Sequence, residues 1–183
     1  MNMHTALPDA DYGVRTAPDT VRIERLLPGP IERVWQYLTD PQLRAQWFAG
    51  GELEPRTGGR MDLQFHNSTL TENDDPPPPK YANVGDHRMQ CVVTEFDPPH
   101  VLGFTFGSND PPSQVRIELS RQGEQVRLLL VHSRLATREG MLSVSAGWHA
   151  HLNILRARMT GQTPDGLWRT HTRLETEYAQ RLP

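Results

Sequence analysis

In the stretch "AGWHAHLNILRARM", Ala146 to Met159, a tryptophan and two histidines stand within a ladder of apolar residues. Histidine readily binds metals and moves protons near neutrality, so His149 and His151 raise the question of a site. Residues two apart on an α-helix point about 200° apart around its axis. Holding one ion from a helix needs a spacing such as i, i+4. The pair is no metal motif. His149 falls beside Asn153 and Arg156 on the expected solvent face. His151 falls at the edge of an apolar stripe of Trp148, Leu152, Leu155 and Met159.

Two other residues could do proton chemistry. His132 shares an alternating face with Val126, Leu128 and Leu130 in "EQVRLLLVHSRL", and His87 and His151 could approach it as a general base. Glu95 alternates with Met89, Cys91 and Val93 in "DHRMQCVVTEFDPP". A carboxyl held in an apolar wall can serve as an acid near neutrality. The competing expectations are bland: a hydrogen-bonded structural histidine, and a glutamate at the solvated end of its strand. The single Cys91 excludes an internal disulfide and a Cys-based zinc cluster, and its apolar neighbours suit a buried, inert thiol. No G-x-S-x-G motif is present, and "GPGP" and "TGGR" lack the strand, spacing and helix of a phosphate loop. Neither a metal nor a cofactor is expected.

The whole chain sets further bounds. Its 183 residues suit one domain of ordinary size. A formal charge of −3, with arginines scattered and lysine nearly absent, gives no basic stripe for nucleic acid. No apolar run approaches the roughly 20 residues of a membrane helix. "MNMHTALPDADYG" lacks a basic start followed by an apolar segment, so a cytoplasmic protein is expected.

The elements that must position these residues follow in order. Residues 1–18 read as a flexible, polar lead-in. "DTVRIERLLP" alternates, with Val21, Ile23 and Arg25 on one face, and predicts a first strand. Pro30 opens a helix carrying Ile31, Val34, Trp35 and Leu38, and "TDP" ends it. A second short helix, "PQLRAQWF", would bury Leu43, Trp47 and Phe48. "GGELEPRTGGRMDLQFH" reads as strand, turn, strand. Residues 67–85, with four consecutive prolines, cannot join a central ladder and form an exposed insertion. Four strands of an antiparallel meander follow, then a helix capped by Ser143 or Ser145 that runs to about Thr160. Residues 163–183 form a tail with a short amphipathic helix.

Strand, two short helices, antiparallel strands and one long late helix form a distinctive order. With it come "PIERVWQYLTDPQLRAQWF", "GGRMDLQF", "VTEFDPPHVLGFTF", "VRLLLVHS" and "GWHAHLNILRARM". Together these resemble the START-like, or SRPBCC, helix-grip superfamily. They are most similar to bacterial homologues of the C-terminal domain of the activator of heat-shock protein 90 ATPase. The resemblance covers roughly Thr20 to Gln162. It implies an α+β, birch-pollen-allergen-like fold over residues 19–162, in which a curved antiparallel sheet wraps one long C-terminal helix. Two features depart from the family pattern: the proline-rich insertion and the tail after Gly161.

In that fold a hollow can remain between sheet and helix, and such concave apolar spaces take small molecules. Trp148, His151, Leu152 and Leu155 would form its helix side. Met61, Phe65, Met89, Val93, Phe104, Phe106, Ile117 and Leu130 would supply the sheet side, with His132 as a polar group facing inward. Trp47 and Phe48 would stand near the entrance. The leading expectation is therefore binding of a small hydrophobic or aromatic molecule. A polyketide cyclase or aromatase using His132 or Glu95 comes second. A chaperone-partner module comes third, because isolated bacterial homologues lack the other domain of the eukaryotic activators. The edge strands and the tail are compatible with a homodimer.

Overall fold

The computed structural model describes residues 9–183. Strands β1 (Val14–Ala17) and β2 (Thr20–Pro28) lead into helices α1 (Ile31–Thr39) and α2 (Pro41–Ala45). Strands β3 (Arg60–His66), β4 (Asp86–Asp97), β5 (Val101–Phe106), β6 (Ser113–Gln122) and β7 (Gln125–Ser133) follow. The long α3 (Arg138–Met159) and α4 (Leu167–Arg181) end the chain. All strands pair antiparallel in one sheet of order β1-β2-β7-β6-β5-β4-β3. The helix-grip expectation holds: α3 lies against the inner face of a curved sheet, with α1 and α2 after the first long strand.

Alternation places the core. In β6 and β7, Val115, Ile117, Leu119, Val126, Leu128 and Leu130 are all buried, as expected where one sheet face is covered. Ile31, Val34 and Leu38 of α1 share that core. Within α2 the buried residue is Arg44 rather than Leu43. The Arg44 guanidinium donates to the carbonyls of Ala49 (2.9 Å) and Gly51 (2.6 Å), closing a loop whose backbone would otherwise lack partners.

Four local expectations need correction. The lead-in falls partly outside the described residues, at 1–8. From Asp9 onward it is ordered: a 3-10 turn at Asp9–Asp11 precedes β1, and Asp11 and Gly13 are buried. The segment before β3 makes only isolated bridges, Gly50 to Gln64 and Leu53 to Met61, instead of a full strand. Helix α3 is capped by Thr137, whose Oγ1 accepts from Gly140 N at 3.0 Å. Ser143 and Ser145 lie inside it, because the helix starts a turn earlier and runs on through Gly140. Finally, β4 carries a bulge between Val93 and Glu95. The register shift turns Glu95 away from the core and brings Phe96 in to pack edge-on against Trp35 (5.5 Å). Gly103, opposite the bulge, leaves room for it, since a Cβ there would meet Thr94 Oγ1 at 2.7 Å.

Candidate functional site

The centre of the grip is solid. Val93, Phe104, Leu130, Leu152 and Leu155 are at most 1% exposed, and Ile117 is 2% exposed. The space left beneath α3, bordered by Trp47, Met61, Phe104 and Ile117, measures about 10 Å³. That is at the limit for a single water and excludes a ligand. Bulky side chains from both layers meet there and fill the volume that the sheet curvature encloses.

A cavity of about 200 Å³ lies instead toward the N-terminal half of α3, at the β3–β4 edge. The sheet contributes Phe65, His87, Met89 and Phe106, and α3 contributes Ser143, Gly147, Trp148 and His151. The other walls come from the proline-rich insertion, through Tyr81 and Val84, and from α4, through Leu167, Trp168 and His171. The insertion and the tail thus enclose the space.

Of the side chains expected to line a hollow, Phe65, Met89, Phe106, Trp148 and His151 do so. Met61, Val93, Phe104, Ile117, Leu130, Leu152 and Leu155 belong to the packed core. Trp47 is not at an entrance: it is 1% exposed, and its indole N–H donates to the Tyr37 carbonyl at 2.8 Å.

The cavity wall is mostly aromatic. Phe48 packs against Phe65 (5.1 Å between centroids), Trp148 (4.8 Å) and His151 (5.3 Å). His87 stacks on Phe65 at 4.5 Å. Tyr81 of the insertion stacks on Trp168 of α4 at 5.7 Å and meets His171 edge-on. The Tyr81 hydroxyl donates to Glu175 Oε2 at 3.1 Å and stands 2.9 Å from Ser143 Oγ. Lys80 pairs with the same Glu175. Asp74 fixes the insertion to the tail, accepting from the backbone N–H groups of Trp168 (2.9 Å) and Arg169 (3.1 Å). Gly166 offers no side-chain cap, so Asp74 caps α4 from a distant part of the sequence.

The histidines divide by role. His132 is fully buried and does not reach the cavity. Its Nδ1 accepts from the Trp148 indole N–H at 3.0 Å, which leaves Nε2 to donate to Ser113 Oγ at 2.8 Å. The Ser113 hydroxyl passes its proton to the Phe106 carbonyl, also at 2.8 Å. Every member is satisfied, and burial pushes the His132 pKa down to about 4, so it is a neutral structural residue. Neither His87 nor His151 is among its ring contacts.

His149 is buried, not solvent-facing. Tyr12 packs edge-on against it at 4.8 Å, and its Nδ1 lies 2.9 Å from the Tyr178 hydroxyl. The N-terminal segment and α4 cover a helix face that periodicity alone assigns to water. His151 points elsewhere, donating from Nδ1 to the Trp47 carbonyl at 2.8 Å. Burial lowers it to about 4 against that hydrogen bond, with His171 lowering it further. Glu95 lies on the outer face, paired with Arg116 at 2.8 Å. Phe48, expected near the entrance, does line the cavity, while sequence reasoning missed Tyr81, Trp168 and His171 entirely. The aromatic residues that interrupt the insertion and the tail are the signal that would have found them.

Comparison with known proteins places this architecture. Residues 28–160 match the family described as "Activator of Hsp90 ATPase homolog 1-like protein". The chain belongs to this family. Helix α4 lies beyond the span matched to the activator-of-Hsp90-ATPase family, so one cavity wall is built outside it. A Bordetella parapertussis protein, solved by NMR in solution, is 44% identical with a TM-score of 0.79, covering 93% of this chain and 90% of that one. CalU16 from Micromonospora echinospora is 20% identical with a TM-score of 0.65, covering 92% and 93%. DynU16, a protein of the dynemicin biosynthetic locus, is 25% identical with a TM-score of 0.60. That match covers 80% of this chain and 49% of the longer one. None of the curated proteins matches the chain. Among the described residues, no helix is long and apolar enough to cross a membrane.

Proposed function

We propose that the protein binds a small aromatic molecule in the cavity between the β3–β4 edge, α3, the insertion and α4. The observation that carries this reading is the 200 Å³ space walled by Phe48, Phe65, Phe106, Trp148, Tyr81 and Trp168. A cavity of about 150 Å³ lined by apolar side chains accepts benzene, so this one suits a single substituted ring. A multi-ring polyketide exceeds it. With His132 neutral and enclosed and Glu95 on the outer face, the cyclase expectation has lost both of its acid–base residues. Binding without chemistry is the better-supported reading. Burying about 200 Å² of ligand surface would contribute on the order of 5 kcal/mol before association costs.

Trp148 and Trp168 give the test an intrinsic probe. Titrating single-ring aromatic compounds should change tryptophan fluorescence saturably. Filling the cavity from Gly147 should abolish the response. A flat titration across such a set defeats the reading.

A further inference from the structure

The cavity concentrates polar atoms that have no partner within the protein. Among the described residues, seven buried side-chain nitrogen or oxygen atoms lack a hydrogen bond. Three of them, Asn67 Oδ1, His87 Nδ1 and Trp168 Nε1, belong to residues lining this one space, whereas His171 Nδ1, also at the wall, has Glu175 Oε2 3.6 Å away. Asn67, Trp168 and His171 are 9%, 5% and 6% exposed. Native proteins leave few buried polar groups unsatisfied, and each exception calls for a reason. Three at one cavity are not explained by packing.

Their chemistry is specific. An indole N–H can only donate and an amide oxygen can only accept, so Trp168 asks for an acceptor and Asn67 for a donor. His87 and His171 can serve either way. The lining contains no Asp, Glu, Lys or Arg. Burial lowers the pKa of both His151 and His171, so neither supplies a positive charge at pH 7. A charged ligand would be desolvated here without an opposite charge.

Resting on the reading of this cavity as a binding site, we infer that its occupant is a neutral single-ring molecule bearing a group that both donates and accepts, as a phenol does. The ring lies among Phe48, Phe65 and Phe106. The hydroxyl accepts from Trp168 Nε1 and donates to Asn67 Oδ1 or a neighbouring imidazole.

The probes are p-cresol, p-xylene, 4-methylbenzoate and 4-methylbenzylammonium, titrated by calorimetry against the full chain. The first two are nearly isosteric. Because p-xylene is the more water-averse, a purely apolar cavity would prefer it. The inference expects p-cresol to bind about tenfold more tightly than p-xylene, the worth of one or two well-made hydrogen bonds, with both ions weaker than p-cresol. In ¹⁵N–¹H spectra the Trp168 indole N–H should move downfield with p-cresol and not with p-xylene. Trp168→Phe should bring the two affinities to within about twofold. Equal or better binding of p-xylene, or preference for either ion, overturns the inference while leaving the cavity a binding site. No binding by any of the four, with Gly147→Leu indistinguishable from wild type, overturns the binding reading itself.

Discussion

The indole N–H of Trp148 donates to Nδ1 of His132, 3.0 Å away, and so fixes which tautomer that histidine adopts. The bond makes His132 one link in a one-way chain from α3 through Ser113 to the β5 backbone. A base needs a free lone pair toward its substrate, and this one is already used. His132→Leu removes the acceptor and strands the buried Trp148 donor. It should lower unfolding free energy by about 1–3 kcal/mol, measured by urea denaturation. Aromatic ligand binding should persist in the folded fraction. Unchanged stability with lost ligand conversion would restore the catalytic reading.

Four buried histidines couple stability to pH, His171 among them, and in three the shift is large. Burial lowers His132 to about 4, His149 to about 3 and His151 to about 4, against about 6.5 in an unfolded chain. The unfolded chain therefore binds more protons below about pH 6.5. The stability these groups contribute is fully present above pH 6.5 and is lost as pH falls toward 4. Unfolding at pH 5 should take up about three protons from these sites, and few at pH 7.5. The slope of denaturation free energy against pH reads this directly, and a flat profile between pH 7 and 5 would contradict it.

The sheet, the early helices and the α3 stripe were legible because period-2 and period-3.6 patterns report burial on one face. Trp148, Leu152 and Leu155 are buried as that pattern requires. His149 was not legible. Its cover is Tyr12 and Tyr178, which are 137 and 29 residues away in sequence, and periodicity within α3 carries no word of them. The cavity was misplaced for a related reason. Its outer walls are the insertion and the tail, segments whose irregular sequence hides their packing. Glu95 is different, because a glycine within a strand pattern is itself a bulge signal, and Gly103 in "HVLGFTFG" marked the place.

That bulge leads to a prediction of near-silence. Glu95 pairs with Arg116 where both side chains are nearly half exposed, at 46% and 44%. Such surface pairs contribute about 0–1 kcal/mol. Glu95→Gln should change the unfolding free energy by no more than about 0.5 kcal/mol and leave ligand titrations superimposable on wild type. A tenfold loss of binding would mean that Glu95 reaches the cavity after all.

Asp74 is the opposite case, a small exposed-loop residue with a large structural reach. Its carboxylate caps α4 through Trp168 N and Arg169 N, holding one cavity wall against another. Asp74→Ala should cost about 1 kcal/mol, as helix N-cap losses do. It should also loosen the Tyr81–Trp168 stack, so proteolysis within residues 67–85 should quicken and aromatic affinity should fall. Asp74→Asn retains an acceptor and should recover most of both. If limited digestion gives the wild-type pattern and rate, the cap is not what joins insertion to tail.

Gly147 separates binding from folding most cleanly. It sits in the middle of α3, where glycine is less favourable than alanine by about 0.5–1 kcal/mol. A Cβ built there meets nothing closer than His171 Nε2 at 3.9 Å, so the fold itself does not require glycine. What its missing side chain preserves is cavity volume. Gly147→Ala should therefore raise stability by up to about 1 kcal/mol while trimming affinity. Gly147→Leu should occupy the space that a ring would take, keeping the protein folded and removing the fluorescence response. Thermal melts beside titrations of both variants check the pair. Stability and binding should move in opposite directions, a result that core packing alone does not produce. If Gly147→Leu instead unfolds the protein while Gly147→Ala leaves affinity untouched, the glycine serves helix packing and the cavity has no occupant to protect.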